Sequence, residues 1–249
     1  MLKYKNLIRK YIDSSLRINE EFVIKNKIFH HLVNVLRVRE KALIRVFDNK
    51  KEEFLAQISS IKKNILRLTI LKPLRKDSSN NKIKVSLGLS IIDKKIFMRA
   101  LDYAVQLDID ELYPIISSRS QNKYISYNSL EERMLNSTEQ SERVSLTKIH
   151  PIRKLKELLL DIKQEIIFLN EREENLISDK LTQLSKDSFL LVGPEGGFTE
   201  EEEIFVKNIT NVTSVSLGKN ILTTELSVAS ALSYINLLKI KQEHSQLTF

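Results

Sequence analysis

A concentration of glycine marks the segment Gly193-Pro194-Glu195-Gly196-Gly197. The chain has 249 residues and five Gly, three of which lie within these five positions. The apolar run Phe189 to Val192 precedes the segment and predicts a buried strand, and Thr199-Glu200-Glu201-Glu202 follows it as a capping box that opens a helix. Ligands of open α/β sheets bind at the ends of strands, where Gly lets them approach the backbone. The segment therefore predicts a ligand-binding turn, with a plain strand-to-helix turn as the alternative.

The residues around this turn indicate which ligand it receives. The spacing matches neither of the glycine motifs that bind phosphate groups. Glu195 and the four acids Glu200 to Glu203 would repel phosphate. A cationic or neutral ligand with an adenosine moiety fits these residues better.

Two more strand ends carry residues suited to the same pocket. The segment from Val215 through Gly218 to Glu225 runs from a strand into a helix rich in small residues. A third apolar run ends at Leu169-Asn170-Glu171. We expect these segments and the Gly-rich turn to form three walls of one pocket.

The composition excludes several kinds of chemistry. The chain has no Cys, which removes disulfides, iron–sulfur clusters and thiolate zinc sites, and its four His are too scattered to predict a metal site. No run approaches the ~18 apolar residues of a membrane span, and the start lacks the apolar core of a secretory signal. These features predict a cytoplasmic protein that does not contact a membrane and holds no metal.

The charge is divided unevenly along the chain. Residues 1–80 carry a net charge of +11, whereas residues 81–249 carry −3. A basic first part predicts contact with a polyanion such as nucleic acid, and a generally basic protein is the alternative. The polar run Lys72 to Asn81 predicts a linker between the two parts.

The apolar pattern differs on the two sides of this linker. Before it, short strand-like runs at 43–47, 54–59 and 65–71 and one helix near 27–35 predict a small β-barrel or sandwich. After it, strand-like runs alternate with helices, which predicts an α/β fold with a mostly parallel sheet covered on both faces. The strands are expected at 85–91, 112–117, 165–169, 188–192 and 212–217, and helices are expected to begin at Asp93, Ser129, Pro151, Thr199 and Glu225.

Several motifs together resemble one enzyme family over nearly the whole chain. They are Gly193 to Phe198 with the acidic helix start, Leu217-Gly218 with Ile221-Leu222 and Thr224-Glu225, His31 to Arg37, Ser118-Arg119-Ser120, and Glu139-Gln140-Ser141 with Arg143. In these motifs the chain resembles the SPOUT class of S-adenosylmethionine-dependent RNA methyltransferases. It is most similar to the branch that methylates N3 of a uridine in 16S ribosomal RNA.

The resemblance implies a fold, a reaction and partners. It implies a PUA-like RNA-binding β-barrel at residues 1–74 and a SPOUT methyltransferase domain with a C-terminal trefoil knot at residues 82–249. The expected substrate is ribosomal RNA or the assembled small ribosomal subunit, and the expected assembly is a homodimer. A non-catalytic RNA-binding protein with a vestigial pocket and a methyltransferase acting on another RNA position are the alternatives.

The resemblance and the motifs also assign site residues. Glu225 is the candidate for handling the uridine proton, and its alternative role is that of a carboxylate favoured by the helix dipole. Candidate RNA contacts are Arg9, Arg37, Arg39, Arg119 and Lys219. The candidate S-adenosylmethionine-binding residues are Leu169, Asn170, Glu171, Gly193, Pro194, Glu195, Gly196, Leu217, Gly218, Ile221, Leu222 and Thr224.

Three features depart from the family pattern, one of them being that the Gly-Asp pair which commonly follows the Leu-Arg element is missing, with Glu40-Lys41 nearby instead. Thr223 stands where the family usually has Arg, and Glu142 stands where it usually has Gly. Because an Arg at residue 223 could touch RNA or substrate, we expect Lys219 to supply the missing positive charge.

Overall fold

The computed structural model describes residues 4–77, 83–120, 124–184 and 186–246. The chain divides into two compact units. Unit 1 comprises Met1–Asn80 and Thr138–Ser145, and unit 2 comprises Asn81–Ser137 and Leu146–Phe249. The short segment Thr138–Ser145 therefore packs with unit 1, which the charge pattern along the chain did not predict. The predicted domain limits, 1–74 and 82–249, stay a prediction.

Unit 1 is built on one five-stranded sheet. In space its strands follow the order β1-β3-β4-β5-β2, and every neighbouring pair is antiparallel except the parallel pair β1 and β3. A short helix, α1 (Asn26–His30), continues as one π-helical turn through Val35, where the sequence predicts a helix. The strands are β1 (Arg9–Ile12), β2 (Glu21–Ile24), β3 (Leu43–Asp48), β4 (Glu52–Lys62) and β5 (Ile65–Lys76).

The first half of the predicted linker is part of strand β5 and not a loop. Lys72–Lys76 continue this strand because they pair with the start of β4, where Phe54 is opposite Pro73 and Glu52 is opposite Lys76. Cross-strand hydrogen bonds thus hold a polar run extended although it has no apolar period. The remainder of the predicted linker, residues 78–81, lies outside the described residues.

Unit 2 contains a seven-stranded sheet whose pairs are all parallel. The order is β12-β10-β11-β6-β7-β8, and β9 also pairs with β7. This confirms the predicted α/β class with a parallel sheet. The strands are β6 (Val85–Ser90), β7 (Glu111–Ile116), β8 (Lys148–Ile149), β9 (Arg153–Lys154), β10 (Glu165–Leu169), β11 (Ser188–Val192) and β12 (Val212–Val215).

Helices cover both faces of this sheet. Side chains of β11 alternate between two buried clusters because successive residues of a strand point to opposite faces: Leu190 belongs to one cluster and Phe189 to the other. Helices α2 and α7 contribute to the first cluster, and α4 and α6 contribute to the second. The helices are α2 (Lys94–Gln106), α3 (Tyr127–Gln140), α4 (Leu155–Leu159), α5 (Ile177–Lys180), α6 (Glu200–Lys207) and α7 (Thr224–Gln246).

Two predicted helix starts are wrong. Helix α3 begins at Tyr127, so Ser129 lies inside its first turn, and buried Ile125 fixes the chain just before the helix. Helix α4 begins at Leu155 and not at Pro151, because Arg153 and Lys154 pair with β7 as a strand. By contrast, Asp93 caps α2 as predicted, its carboxylate accepting from the backbone N–H of Lys95 at 2.8 Å.

The trefoil knot that the resemblance implies stays a prediction. Among the described residues, no helix is both long enough and apolar enough to cross a membrane.

Candidate functional site

An open cleft lies at the carboxyl ends of three neighbouring strands of unit 2. Strand β10 stands between β12 and β11 in the sheet, and the loops that follow these three strands form the cleft walls. The empty space within the cleft, part of it continuous with solvent, is about 730 Å³. The cleft lies at the position where α/β sheets bind ligands.

The cleft brings together most of the residues that the sequence predicts to bind the cofactor. Ten of the twelve line it, whereas Gly196 and Ile221 do not. Ile221 is exposed, with 76% of its surface accessible. The ten are Leu169, Asn170, Glu171, Gly193, Pro194, Glu195, Leu217, Gly218, Leu222 and Thr224.

The Gly-rich segment forms a closed turn on one wall. The N–H of Gly197 donates to the carbonyl of Pro194 at 2.8 Å, and Gly197 has a φ of +67°, a left-handed conformation that Gly adopts readily. Phe198 then enters the core and its ring lies 5.5 Å from that of Phe168. The turn is therefore anchored at its end by a buried aromatic side chain.

The acidic helix start that follows holds the turn from the other side. Thr199 and Glu202 form the predicted capping box, with both hydrogen bonds present. The same Glu202 carboxylate also accepts from the backbone N–H of Ser118 at 2.7 Å and from its hydroxyl at 2.9 Å. A motif that the sequence predicts as a local cap thus also fixes the loop after β7.

The start of α7 closes the cleft against the Gly-rich turn. The hydroxyl of buried Thr224 donates to the carbonyl of Gly193 at 3.4 Å, which joins the loop after β12 to the loop after β11. Gly218 takes a φ of +130° in the loop that leads to this helix. The hydrogen bond explains why a small hydroxyl residue stands at position 224, and the positive φ explains why Gly stands at position 218.

The wall after β10 carries opposite charges that pair with each other. The side-chain amide of Asn170 donates to Glu203 at 3.3 Å, and its oxygen accepts from the backbone N–H of Arg172 at 3.0 Å. The Arg172 guanidinium lies 3.6 Å from the Glu203 carboxylate. Because Glu203 engages Arg172, that cation is balanced, and Glu171 and Glu195 add negative charge to the lining.

Some residues that line the cleft were not predicted from the sequence. Arg172, Glu203, Ser216, Asn220 and Ser227 all line the cleft. Ser216, Asn220 and Ser227 belong to the predicted strand-to-helix segment or directly follow it, so proximity was a usable signal for them. Glu203 was predicted only as one of the acids that repel phosphate, because only the tertiary fold brings its carboxylate to the side-chain amide of Asn170.

Glu225, the candidate for proton handling, stands beside the cleft and not among the residues that line it. Its Oε1 lies 3.4 Å from Nη1 of Arg99 on α2. Its Oε2 is buried and has no hydrogen-bond partner among the described residues. Burying a carboxylate oxygen without a hydrogen-bond partner costs free energy. Oε2 of Glu225 is therefore a candidate to accept a hydrogen bond from a bound ligand.

The structure contradicts the prediction that Arg9 contacts RNA. Arg9 is buried, its Nε lies 2.6 Å from Glu53, and its guanidinium lies 3.9 Å above the Phe47 ring. It also donates to the carbonyl of Thr138 at 2.8 Å. The guanidinium cannot reach RNA because it is fully engaged within unit 1 and is withdrawn from solvent.

The other candidate RNA contacts are exposed. Arg37 and Arg39 follow the π-helical turn in a loop, and both are exposed. Arg37 has a φ of +53°. Lys219 is exposed next to the cleft residues Gly218 and Asn220. Arg119 is exposed as well, but it donates to the backbone carbonyls of Gly196 and Phe198.

No group of three or more His, Cys, Asp or Glu in the part of the chain that the structure describes is placed to hold a metal ion. The absence of a metal stays a prediction.

Family comparisons identify both parts of the chain. A model of the RNA methyltransferase domain matches residues 79–236, and a model of the RNA methyltransferase PUA domain matches residues 24–71. The first match covers the whole cleft.

Named relatives agree with these matches over almost their full length. Ribosomal RNA small subunit methyltransferase E of Rickettsia conorii is 32% identical, with 95% of this chain and 97% of that protein covered. The Bacillus subtilis protein of the same name is 26% identical, with 86% of this chain and 89% of that protein covered.

A solved structure is similar as well. The Neisseria gonorrhoeae ribosomal RNA small subunit methyltransferase E, crystallised bound to S-adenosyl methionine, superposes with a TM-score of 0.83 at 26% identity, covering 94% of this chain and 98% of that one. With a PUA-like sheet in unit 1, a parallel α/β sheet in unit 2 and these matches along its length, the chain belongs to the ribosomal RNA small subunit methyltransferase E family of RNA methyltransferases.

Proposed function

We propose that this protein transfers the methyl group of S-adenosylmethionine to N3 of a uridine in 16S ribosomal RNA. The observation that carries the proposal is the cleft at the carboxyl ends of β12, β10 and β11, which gathers residues from three distant segments. Family membership supports methyl transfer to small-subunit RNA, and the N3 atom is the finer part of the proposal.

The lining of the cleft fits S-adenosylmethionine chemically. Leu169, Leu217 and Leu222 offer apolar surface to an adenine ring, and the turn at Gly193 offers backbone groups. Glu171 and Glu195 suit a ligand with a sulfonium and an amine. The cofactor, when bound, supplies an electrophilic methyl group, so the remaining task of the protein is to orient the uridine and manage its proton.

Uridine N3 carries a proton at neutral pH and becomes a good nucleophile once that proton leaves. We assign this proton to Glu225, which stands beside the cleft and whose buried Oε2 has no hydrogen-bond partner among the described residues. The hydrogen bond of the neighbouring Thr224 to Gly193 fixes the start of α7, and thereby the backbone from which Glu225 projects.

Negative charge spreads over the uracil oxygens as the N3 proton leaves, and a nearby cation would stabilise it. The family places Arg at residue 223, but this chain has an exposed Thr. Two cations are candidates: Lys219, four residues earlier in the preceding loop, and Arg99, which lies 3.4 Å from Glu225. We propose that Lys219 supplies the charge, because Arg99 is engaged with Glu225.

The RNA itself is expected to bind unit 1 through exposed cations such as Arg37 and Arg39. Phosphate contacts position an RNA, whereas contacts with the base specify it. We further propose that the protein acts as a homodimer on ribosomal RNA or the assembled small subunit, and its cytoplasmic location stays a prediction.

Mass spectrometry of 16S ribosomal RNA from cells with and without this protein tests the proposal. The expected result is the loss of one N3-methyluridine and its return when the gene is restored. Return with the wild-type gene but not with a Glu225→Gln gene would tie the methyl group to this site. An unchanged RNA would favour a non-catalytic RNA-binding protein, and loss of a different methylated nucleotide would favour another target position.

A further inference from the structure

Arg119 sits outside the cleft and contacts the back of the Gly-rich turn. Its Nη1 donates to the carbonyl of Gly196, and also to the carbonyl of Phe198 at 3.3 Å. Its stem covers the turn too, because a β-carbon at Gly196 would have Arg119 Cδ as its nearest neighbour, at 3.6 Å. One side chain from the loop after β7 thus supports the middle and the end of the turn.

The remainder of the turn is held at other points. Phe198 anchors its end in the core, Thr224 binds the carbonyl of Gly193 at its beginning, and the N–H of Gly197 closes the turn on Pro194. Apart from Arg119 and the chain neighbours of Gly196, no described residue has an atom within 4 Å of the position where a side chain at Gly196 would begin. Because Gly loses more conformational freedom on ordering than other residues, this stretch depends most on an outside support.

The loop that carries Arg119 is itself fixed. The backbone N–H of Ser117 donates to the hydroxyl of Ser120 at 3.0 Å, and Ser118 donates twice to the buried carboxylate of Glu202. The loop after β7 is thus tied to the start of α6, which directly follows the Gly-rich turn. Arg119 therefore projects from a rigid base and not from a free loop.

We propose that Arg119 is a positioning residue for the cofactor: it holds the Gly196–Gly197 peptide in the shape that receives S-adenosylmethionine. The inference rests on the proposed function. Without the guanidinium the turn would sample other conformations, and binding would have to order it, which weakens affinity. The role assigned here differs from the direct RNA contact that sequence analysis predicts for the same residue.

Arg119→Met and Arg119→Lys separate these roles. Met keeps an apolar stem over Gly196 but removes the donor, whereas Lys keeps a charged donor. Calorimetry of S-adenosylmethionine binding without RNA should show a Kd about tenfold higher for Arg119→Met. Arg119→Lys should recover most of this loss, within about threefold of wild type. In steady-state methylation the KM for the cofactor should rise while the KM for RNA stays unchanged.

Arg153→Met is the matched control, because Arg153 also donates to a backbone carbonyl, that of Glu157 at 2.9 Å, but does not line the cleft or touch the turn. It should bind the cofactor as wild type does. An Arg119→Met protein with wild-type cofactor affinity would overturn the positioning role, and so would weakened RNA binding with the cofactor affinity intact. Wild-type protein that fails to bind S-adenosylmethionine would instead overturn the proposed function, and this inference with it.

Discussion

The ring of Phe198 packs directly on Gly193. A β-carbon at residue 193 would lie 2.9 Å from Phe198 Cε2 and 3.0 Å from Cδ2, closer than van der Waals contact allows. Phe198 cannot retreat easily, because it is buried against Phe168. The absence of a side chain at residue 193 is therefore what lets the turn end in the core while its backbone lines the cleft.

Gly193→Ala should consequently destabilise the protein and weaken cofactor binding. Forcing a methyl group into this contact should lower the free energy of unfolding by about 1–3 kcal/mol. Chemical denaturation and calorimetry with S-adenosylmethionine measure the two effects. Gly196→Ala is the control, because its β-carbon would meet only Arg119 at an ordinary 3.6 Å. Equal effects of both substitutions would contradict this account of the turn.

Glu225→Gln should slow methyl transfer and leave cofactor binding intact. Gln keeps the shape of the side chain but cannot take the N3 proton, and general-base catalysis is worth about 10²–10⁴-fold in rate. Single-turnover methylation of small-subunit RNA measures the rate, and calorimetry measures cofactor affinity. Glu200→Gln, at an exposed acid on the first residue of α6, provides the control. A Glu225→Gln enzyme with the wild-type rate would leave Glu225 only its role at the helix start.

Removing the charge of Arg9 should lower the stability of the protein, whereas removing the charge of Arg39 should weaken RNA binding. Arg9→Met removes one of the three arginines that contact the buried Glu53 and takes a donor from the carbonyls of Thr138 and Arg143, so it should cost about 1–3 kcal/mol of stability. Arg39→Gln should change stability by less than about 0.5 kcal/mol. The slope of log affinity for RNA against log salt should fall by about 1 for Arg39→Gln. An unchanged slope for Arg39→Gln would remove this residue from the RNA-binding surface.

The contribution of Glu111 to stability should be larger at a pH above the ordinary titration range of a glutamate than at a pH below it. Burial alone would raise the pKa of this carboxyl, but hydrogen bonds from Tyr113 at 2.6 Å and from His150 at 2.7 Å, with the charges of His150 and Lys148, hold the pKa below its ordinary value. A lowered pKa in the folded state stabilises the protein above the unfolded-state pKa, and this stabilisation is lost as the pH falls through the folded-state pKa.

The test is the difference in free energy of unfolding between wild type and Glu111→Gln, followed from about pH 6 to about pH 3. The advantage of wild type should shrink as the pH falls. Glu165→Gln, at the first residue of β10, is the control and should show a smaller change, because its partner Lys186 is 3.6 Å away and exposed. A difference for Glu111→Gln that does not vary with pH would show that its hydrogen bonds do not depend on its charge.

Sequence alone determined the features that depend on neighbours within a few residues. The capping box at Thr199 and the Asp93 cap were predictable because each involves residues at most three positions apart. The apolar runs that became β10 and β11 were predictable because a parallel strand is buried on both faces and needs no polar alternation. The motifs around Gly193 and Gly218 were sufficient to indicate the family.

Tertiary structure decided the features that depend on distant partners. Arg9 and Arg119 both looked like cations for RNA, yet one is buried with Glu53, 44 positions away, and the other supports a turn 77 positions away. The sequence predicts a helix start at Ser129, but the helix begins two residues earlier, at Tyr127, directly after the segment that buries Ile125. A charged side chain follows the same local rules whether it faces solvent, a carboxylate or a backbone carbonyl. Only the packing of strands and loops far apart in the chain selects which of these it meets.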